Sequence, residues 1–280
     1  MKAHSQSFIL QGNMPRTAGL ILTSLILAGP AAAQGRDQCE YEAQRDSQVQ
    51  ASASETLMVI ARAGFLRVEG RAGITEVRVR GTACASSQDL LDQLVVEVTR
   101  GGAGVRVEVP ELDGQRWDWG NDRYARLDLT IEVPAGMAAD IEDGSGEIFV
   151  SGTGDLRVDD GSGSIDVQDV TGNVDIDDGS GEIAVTRAGG DVTIDDGSGE
   201  IELRDVTGDV TVDDGSGEIE IAGVGGSVRI PGDGTGSIDV EDVEGDLVVR
   251  DADADDIRYS NVRGAVDVPE ERRGRGRRRG

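Results

Sequence analysis

Pairs of adjacent aspartates recur along the second half of the chain, and their side chains are the ones best suited to chemistry. The pairs are 18 residues apart, and each is followed by Gly-Ser. They are Asp159 and Asp160, Asp177 and Asp178, Asp195 and Asp196, and Asp213 and Asp214. Carboxylates at fixed intervals can coordinate calcium, and two carboxylates set apart in a cleft can hydrolyse glycosides.

The glycosidase alternative is the weaker of the two. Residues 140–262 contain 34 acids against six arginines, but the acids repeat evenly, so no pair stands apart from the rest. The aromatic residues there, which could stack on a sugar, are Phe149 and Tyr259. A carboxylate-based polysaccharide enzyme is therefore a distant alternative, and we expect a protein that is not an enzyme.

Calcium binding is the closer alternative. The repeat resembles the calcium-binding nonapeptide of RTX proteins, yet here the acids precede the glycines, so that ligand geometry does not transfer. Carboxylates stacked about 4.8 Å apart repel by roughly 1 kcal/mol in water, and cations would relieve this repulsion. Two hypotheses stay open: calcium bound by the eight paired aspartates, or no cofactor, with solvated Asx turns whose adjacent aspartates point in opposite directions.

The N-terminal segment has the pattern of a secretory signal peptide. An apolar run at 18–28 follows Arg16 and precedes Pro-Ala-Ala-Ala at 30–33, which predicts cleavage after Ala33. The run is too short to span a bilayer, so no transmembrane segment is expected after cleavage. The pattern predicts export to the periplasm, the outer-membrane surface or the medium.

Cleavage would remove the only histidine, His4, and the only lysine, Lys2. Without them the chain lacks a Ser-His-Asp triad, a histidine zinc site, a Schiff-base lysine and a phosphate-binding P-loop. The net charge would change from −27 to −29, because the removed segment contains Lys2, Arg16 and no acid. Such a surface repels nucleic acid, which is not an expected partner.

A nine-residue half-repeat organises the second half of the chain. Each half-repeat reads Gly, acid, apolar, any residue, apolar, followed by a four-residue corner, as from Gly181 and from Gly190. Apolar residues at positions i and i+2, such as Ile183 and Val185, are typical of strands with one buried face. The constant period predicts an all-β, right-handed parallel β-solenoid with about 18 residues and two short strands per coil.

The two corners of each predicted coil differ. One contains the aspartate pairs and should form an acidic ladder. The other has a small apolar residue that should point inward and fill the edge of the core. These residues are Val170, Ala188, Val206, Val224, Val243 and Val262.

Before residue 141 the pattern is irregular. The pairs Leu66/Val68 and Val77/Val79 resemble degenerate coils, and residues 87–94 resemble a helical turn. An atypical N-terminal β portion would cap the first coil and protect its edge. We predict a signal peptide at 1–33, a linker at 34–54, the capping β portion at 55–140, regular repeats at 141–268 and a disordered Arg-rich tail at 269–280.

Two cysteines, Cys39 and Cys84, remain after the predicted cleavage. In an exported protein an isolated pair predicts one disulfide, here closing a loop of about 45 residues. Two free thiols are the alternative, because sequence spacing does not show whether the two side chains meet.

The repeats Asp-Gly-Ser-Gly-(Glu/Asp)-Ile-x-Val and Val-x-Gly-Asp-Val-x-(Ile/Val), with Gly64-Phe-Leu-Arg-Val-Glu-Gly before them, resemble the bacterial "putative adhesin" β-strand-repeat family of unknown function. The resemblance covers roughly residues 55–268. It implies a solenoidal fold and an envelope or secreted location, and it supplies no catalytic residues. We therefore expect an exported, adhesin-like structural or interaction module whose partner is an envelope or surface protein or glycan.

Overall fold

The computed structural model describes residues 39–102, 104–112 and 123–270. The predicted signal peptide, the start of the predicted linker and residues 271–280 of the predicted tail lie outside the described residues. The N-terminal elements are β1 (Tyr41–Gln44), β2 (Ser47–Gln50), β3 (Thr56–Ile60), β4 (Leu66–Arg71), β5 (Glu76–Ala85), α1 (Gln88–Gln93), β6 (Glu97–Gly101), β7 (Gly104–Glu108), β8 (Ala125–Pro134) and β9 (Ala138–Asp143).

The repeat region supplies two strands for each coil. The strands are β10 (Gly146–Ser151), β11 (Leu156–Asp160), β12 (Gly163–Val170), β13 (Val174–Asp178), β14 (Gly181–Ala188), β15 (Val192–Asp196), β16 (Gly199–Val206), β17 (Val210–Asp214), β18 (Gly217–Val224), β19 (Val228–Asp233), β20 (Gly236–Val243), β21 (Leu247–Val249), β22 (Ile257–Val262) and β23 (Val266–Asp267). A single 3₁₀ turn, Ala254–Asp256, lies between β21 and β22.

The strands form two stacked sheets. Sheet 1 has the order β1-β5-β8-β4-β10-β12-β14-β16-β18-β20-β22, and β2 also pairs with β5. Sheet 2 has the order β23-β21-β19-β17-β15-β13-β11-β9-β3-β7-β6. From β10 onward each strand pairs in parallel with its equivalent one coil away. The predicted parallel β-solenoid is confirmed, with coils of about 18 residues and about seven turns.

The side-chain alternation of the strands builds the core. In β14, Ile183 and Val185 are fully buried, and Ile201 and Leu203 lie opposite them in β16. Such columns continue into one hydrophobic cluster from Ala51 to Val249. Burying an Ile or Val side chain contributes about 1.5–3 kcal/mol, so a regular aliphatic interior stabilises the fold without aromatic residues.

Of the six predicted inward residues of the second corner, five are buried, and Val262 in the last coil is only partly buried. Val170, Ala188 and Val206 each expose 2% of their surface, and Val224 and Val243 expose 1%. They fill the edge of the core next to the turn that leads into sheet 2.

The N-terminal portion differs from the repeats because it contains antiparallel strands. β5 pairs antiparallel with β8, β1 and β2 pair antiparallel with β5, and β6 forms a hairpin with β7. The pair Leu66/Val68 lies in the parallel stack, in β4. The interpretation of Val77/Val79 as a degenerate coil is wrong, because β5 runs in the opposite direction to its neighbour β8.

The predicted helical turn is confirmed as α1. The Ser87 side chain accepts a hydrogen bond from the Leu90 backbone N–H, and Leu90 and Leu91 are buried. At the other end, the Arg45 guanidinium donates to the backbone oxygens of Leu91 and Leu94 at 2.9 and 2.7 Å. These bonds satisfy carbonyl groups that a helix end leaves without partners.

The predicted disulfide is present between Cys39 and Cys84, whose Cα atoms are 5.3 Å apart. It links Cys39, which lies two residues before β1, to Cys84 in β5. In the described part of the chain, no helix has both the length and the apolar character needed to cross a bilayer.

Candidate functional site

The structure separates the two members of each aspartate pair. The strand alternation that buries Val174 and Ile176 continues to Asp178, which points inward, whereas Asp177 points outward. The same division holds in β11, β15 and β17. We call the outward set, Asp159, Asp177, Asp195 and Asp213, the outer aspartate column.

The inward set forms a second column inside the rod. We call Asp143, Asp160, Asp178, Asp196, Asp214 and Asp233 the inner aspartate column. Each member lies opposite the next on the neighbouring strand, without a gap from β9 to β19. All but Asp143 expose only 3–4% of their surface. Carboxyl groups in register on six successive strands, five of them buried, are unusual, because an unpaired buried charge is strongly unfavourable.

The hydrogen bonds of the inner aspartate column leave oxygen atoms without partners. The Asp178, Asp196 and Asp214 Oδ1 atoms accept from the backbone N–H groups of Ser180, Ser198 and Ser216 at 3.0–3.3 Å. These are Asx turns. The second oxygen of each of these three aspartates is buried without a hydrogen-bond partner, and so are both carboxyl oxygens of Asp160.

Burial raises the pKa of every member of the inner aspartate column. The pKa of Asp143 rises from its usual 3.8 to about 7, and the pKa values of Asp160 and Asp196 rise to about 6. The main cause is desolvation, to which the charge of neighbouring aspartates adds. The pKa values of the remaining members, Asp178, Asp214 and Asp233, are also raised by burial.

The calcium prediction stays a prediction. Within the described ranges, no three His, Cys, Asp or Glu side chains are grouped so that they could hold one metal ion. Calcium takes six to eight oxygen ligands. The two members of each aspartate pair lie on opposite faces of their strand and therefore do not converge on one point.

A third polar column, which was not predicted from the sequence, lies in the turns that lead into the sheet 2 strands. We call Asp155, Asn173, Asp191, Asp209, Ser227 and Asp246 the capping column. Each side-chain oxygen accepts a hydrogen bond from a backbone N–H group one coil further along, at 2.7–3.2 Å. A sequence signal existed, because Asp, Asn and Ser alternate at one repeat position and share a side-chain acceptor.

Acidic side chains also form a column on the outer face of sheet 1. Glu182, Glu200 and Glu218 lie opposite one another on β14, β16 and β18 and are exposed. We call them the glutamate column. Arg204 lies on the same face and forms ion pairs with Glu202 and, at 3.0 Å, with Glu220.

The fold and these columns define the chain as a parallel β-solenoid repeat protein with acidic outer columns. No protein-family model matches the chain, and no curated protein matches it. The resemblance to the adhesin repeat family therefore stays a prediction.

Solved structures similar to the chain include two bacterial proteins. One is a "putative cell adhesion protein" from Clostridium sporogenes ATCC 15579, with 12% identity and a TM-score of 0.30, covering 81% of this chain and 98% of that one. The other is a "putative lipid binding protein" from Parabacteroides distasonis ATCC 8503, with 14% identity and a TM-score of 0.36, covering 81% of this chain and 97% of that one. Likenesses at this level carry no argument about function.

Proposed function

We propose that the chain is an exported, non-enzymatic β-solenoid that acts as a rigid interaction module of the cell envelope. Its partner would be an envelope or surface protein or glycan. The observation that carries this proposal is the glutamate column, in which Glu182, Glu200 and Glu218 present equivalent charges at a spacing of about 4.8 Å on the outer face of sheet 1. A surface that repeats one group at a fixed spacing suits multivalent binding, where several weak contacts act together.

The acid positions support a role without catalysis. The carboxyl groups with the most strongly raised pKa, such as those of Asp143 and Asp160, are the ones an acid catalyst would use at neutral pH. Asp160 exposes only 3% of its surface and cannot reach a polymer, and the Oδ2 atom of the partly buried Asp143 is also enclosed. The exposed acids of the outer columns repeat from coil to coil, so none is set apart as a catalytic pair.

A capture experiment from envelope extract tests the interaction. The chain should retain its partner at low salt and release it as salt is raised, because exposed charges are screened. A triple substitution of the glutamate column, Glu182→Gln, Glu200→Gln and Glu218→Gln, should reduce capture at least several-fold while the circular dichroism spectrum stays unchanged.

The outer aspartate column supplies the matched control for that experiment. Asp177→Asn, Asp195→Asn and Asp213→Asn remove the same charge from the same three coils on sheet 2. This variant should still capture the partner, and the chain should do so with or without Glu270–Gly280. An equal loss of captured partner in both triple variants would show that capture depends on net charge and not on the glutamate column. An absence of capture at every salt concentration would end the proposal.

Export has its own test. Expression in a bacterium with an outer membrane, followed by fractionation and N-terminal sequencing, should give an exported chain that begins at Gln34. An unprocessed chain in the cytoplasm would contradict the proposed location.

A further inference from the structure

We propose that the inner aspartate column is a proton-binding site, in which neighbouring carboxyl groups share protons along the rod. The solenoid would then be more stable in mild acid than at neutral pH. The inference concerns the interior of the rod and does not depend on the proposed partner.

The register places the carboxyl groups one strand spacing apart, which is close enough for proton sharing. Asp160, Asp178, Asp196 and Asp214 lie directly opposite one another on β11, β13, β15 and β17. Neighbouring strands are about 4.8 Å apart, and a carboxyl group spans about 2.2 Å between its oxygens. A carboxyl group that turns its two oxygens along the rod axis would leave a gap of about 2.6 Å to the next one, which is the length of an O–H···O⁻ hydrogen bond.

The hydrogen-bond inventory explains why protons are needed. An ionised carboxylate has no donor, so a fully ionised column cannot satisfy the buried second oxygens of Asp178, Asp196 and Asp214. A proton added to one of these Oδ2 atoms turns it into a donor to the Oδ1 atom of the neighbouring carboxyl group, which can accept a second hydrogen bond, and so satisfies one buried oxygen. Two carboxylates that cannot both ionise share a proton in this way in aspartic proteases.

The charged groups facing the column favour proton uptake. The outward neighbours Asp159, Asp177 and Asp213 act on the inner aspartates beside them, and Asp256 acts on Asp233. All four are acidic and so add to the repulsion that a proton relieves.

In the described part of the chain, the positive charge recorded as acting on the column is Arg62, at the Asp143 end. On the sheet 1 side, each corner is followed by a buried aliphatic residue such as Ile183 or Ile201. Protons are therefore the neutralising charge that we propose for Asp160, Asp178, Asp196 and Asp214.

A metal ion fits this interior less well than a proton. An ion between the coils of Asp178 and Asp196 would meet one unpartnered oxygen from each of these two residues, far fewer than the six to eight ligands that calcium requires. The backbone carbonyl oxygens of Asp160, Asp178 and Asp196 already accept from Gly179, Gly197 and Gly215. A proton needs only the two carboxyl groups that it joins.

The direction of the pH dependence follows from the raised pKa values. The usual pKa of an aspartate is 3.8, whereas in the folded chain the pKa is about 6 for Asp160 and Asp196 and about 7 for Asp143. The contribution of the column to the free energy of unfolding is therefore fully present below about pH 3.8 and is lost as the pH rises through 6 to 7. Glu55 and Asp169, whose pKa values are lowered by arginine hydrogen bonds, lose stabilisation only in more acidic solution.

Thermal melts of the purified chain between pH 5 and pH 8 test the inference. The melting temperature should be about 5–10 °C higher at pH 5 than at pH 8. In the folded protein at pH 5.5, infrared spectra should show the C=O stretch of protonated carboxyl groups, which should vanish on unfolding. A chain that melts at a lower temperature at pH 5 than at pH 8, or that lacks the protonated band, would overturn the proposal.

Substitutions on the same strands separate the column from general charge repulsion. Asp178→Asn with Asp196→Asn supplies neutral donors and acceptors, so this variant should melt higher than the wild type at pH 8 and lose much of the pH dependence. The control, Asp177→Asn with Asp195→Asn, removes equal charge one residue away and should keep the wild-type slope. Equal changes in both variants would overturn the proposal. If the inner variant does not fold, the wild-type melts and infrared spectra still decide the question.

Thermal melts at pH 8 with EDTA or with calcium test whether protons or metal cations neutralise the column. The proposal expects the melting temperature to differ by less than about 1 °C between EDTA and millimolar calcium. A rise of several degrees with calcium in the wild type, absent from the inner variant, would show that cations neutralise the column and would overturn the proposal.

Discussion

The inner aspartate column and the capping column place similar residues at the same interval but at opposite ends of the sheet 2 strands. In the capping column, each side-chain oxygen accepts a backbone N–H group of the next coil, as Asn173 does from Asp191 at 2.9 Å. In the inner column, buried oxygens such as Asp178 Oδ2 have no hydrogen-bond partner. The capping column is largely exposed, whereas the inner column is almost entirely buried.

The difference shows that the position of an aspartate on the backbone, more than its residue type, decides whether its side chain is hydrogen-bonded at the surface or buried. Asp191 precedes its strand, where the chain turns and a free N–H group of the neighbouring coil is within reach. Asp178 is the fifth residue of β13, on the same side of the pleat as Val174 and Ile176. One aspartate stabilises the stack through a hydrogen bond, and the other is buried because its strand alternates.

A glycine substitution in the tight corner beside the inner column should have the largest effect on the free energy of unfolding. Gly181, three residues after Asp178, has φ at +154°, and an added Cβ would lie 1.4 Å from the Gly163 carbonyl oxygen. Because backbone rather than a flexible side chain blocks the space, Gly181→Ala should lower the free energy of unfolding by about 4 kcal/mol or more. Urea denaturation followed by circular dichroism measures this change.

A glycine in an open turn is the control for that substitution. Gly73 has φ at +81°, and no atom lies within 4 Å of the point that an added Cβ would occupy. Gly73→Ala should therefore cost only the backbone strain, about 1 kcal/mol. Similar losses at both glycines would mean that the coils separate easily at the inner corner.

Neutralising the end of the inner column should give the next largest effect. The pKa of Asp143 is raised to about 7 by burial, so at pH 8 the folded state bears the cost of its ionisation. Asp143→Asn removes that cost and should stabilise the protein by about 2 kcal/mol at pH 8 and by little at pH 5. Urea unfolding at the two pH values checks the difference.

The exposed neighbour of Asp143 provides the comparison. Glu142 precedes Asp143 in β9 and points outward. Glu142→Gln removes the same charge and should change stability by less than about 0.5 kcal/mol at either pH. A gain from Asp143→Asn that is the same at pH 5 and pH 8 would contradict the ionisation argument.

The stack was predictable from the sequence because its signals are local and repeated. Apolar residues at i and i+2, as in Val192 and Ile194, predict a strand, and a constant interval predicts the coil. The same alternation also indicates that Asp196 points inward, because it shares the side of Val192 and Ile194. A single acidic ladder made of both members of each pair is therefore wrong, and the opposite orientations of the solvated-turn hypothesis are closer to the structure.

The N-terminal portion was harder to predict because its pairing partners are far apart in sequence. β5 pairs with β8 across a separation of about 50 residues, and the repeat interval does not extend there. The apolar spacing of Val77 and Val79 is the same in a parallel and in an antiparallel strand. Side-chain alternation predicts which face is buried, but it does not predict the direction of the neighbouring strand.

Removing one acceptor of the capping column should have a moderate effect. The Asp191 Oδ1 atom accepts from the Asp209 N–H group at 2.8 Å, so Asp191→Ala should lower the free energy of unfolding by about 1 kcal/mol. Asp191→Asn keeps the acceptor, as Asn173 does naturally, and should be nearly neutral. Urea unfolding of the two variants isolates the hydrogen bond, and equal losses would assign the effect to charge instead.

The smallest expected effect concerns backbone strain at the corner of the capping column. Arg187 has φ at +62°, a left-handed conformation that Gly223 occupies at the equivalent position of another coil. Arg187→Gly should stabilise the protein by about 0.5 kcal/mol, because relief of the strain exceeds the loss of an exposed ion pair with Asp169. Arg157→Gly is the control, since Arg157 also pairs with an aspartate 18 residues away, Asp175, but lies within β11. Arg157→Gly should destabilise the protein by about 1 kcal/mol. If urea unfolding shows that Arg187→Gly raises the free energy of unfolding and Arg157→Gly lowers it, the strain lies at the corner.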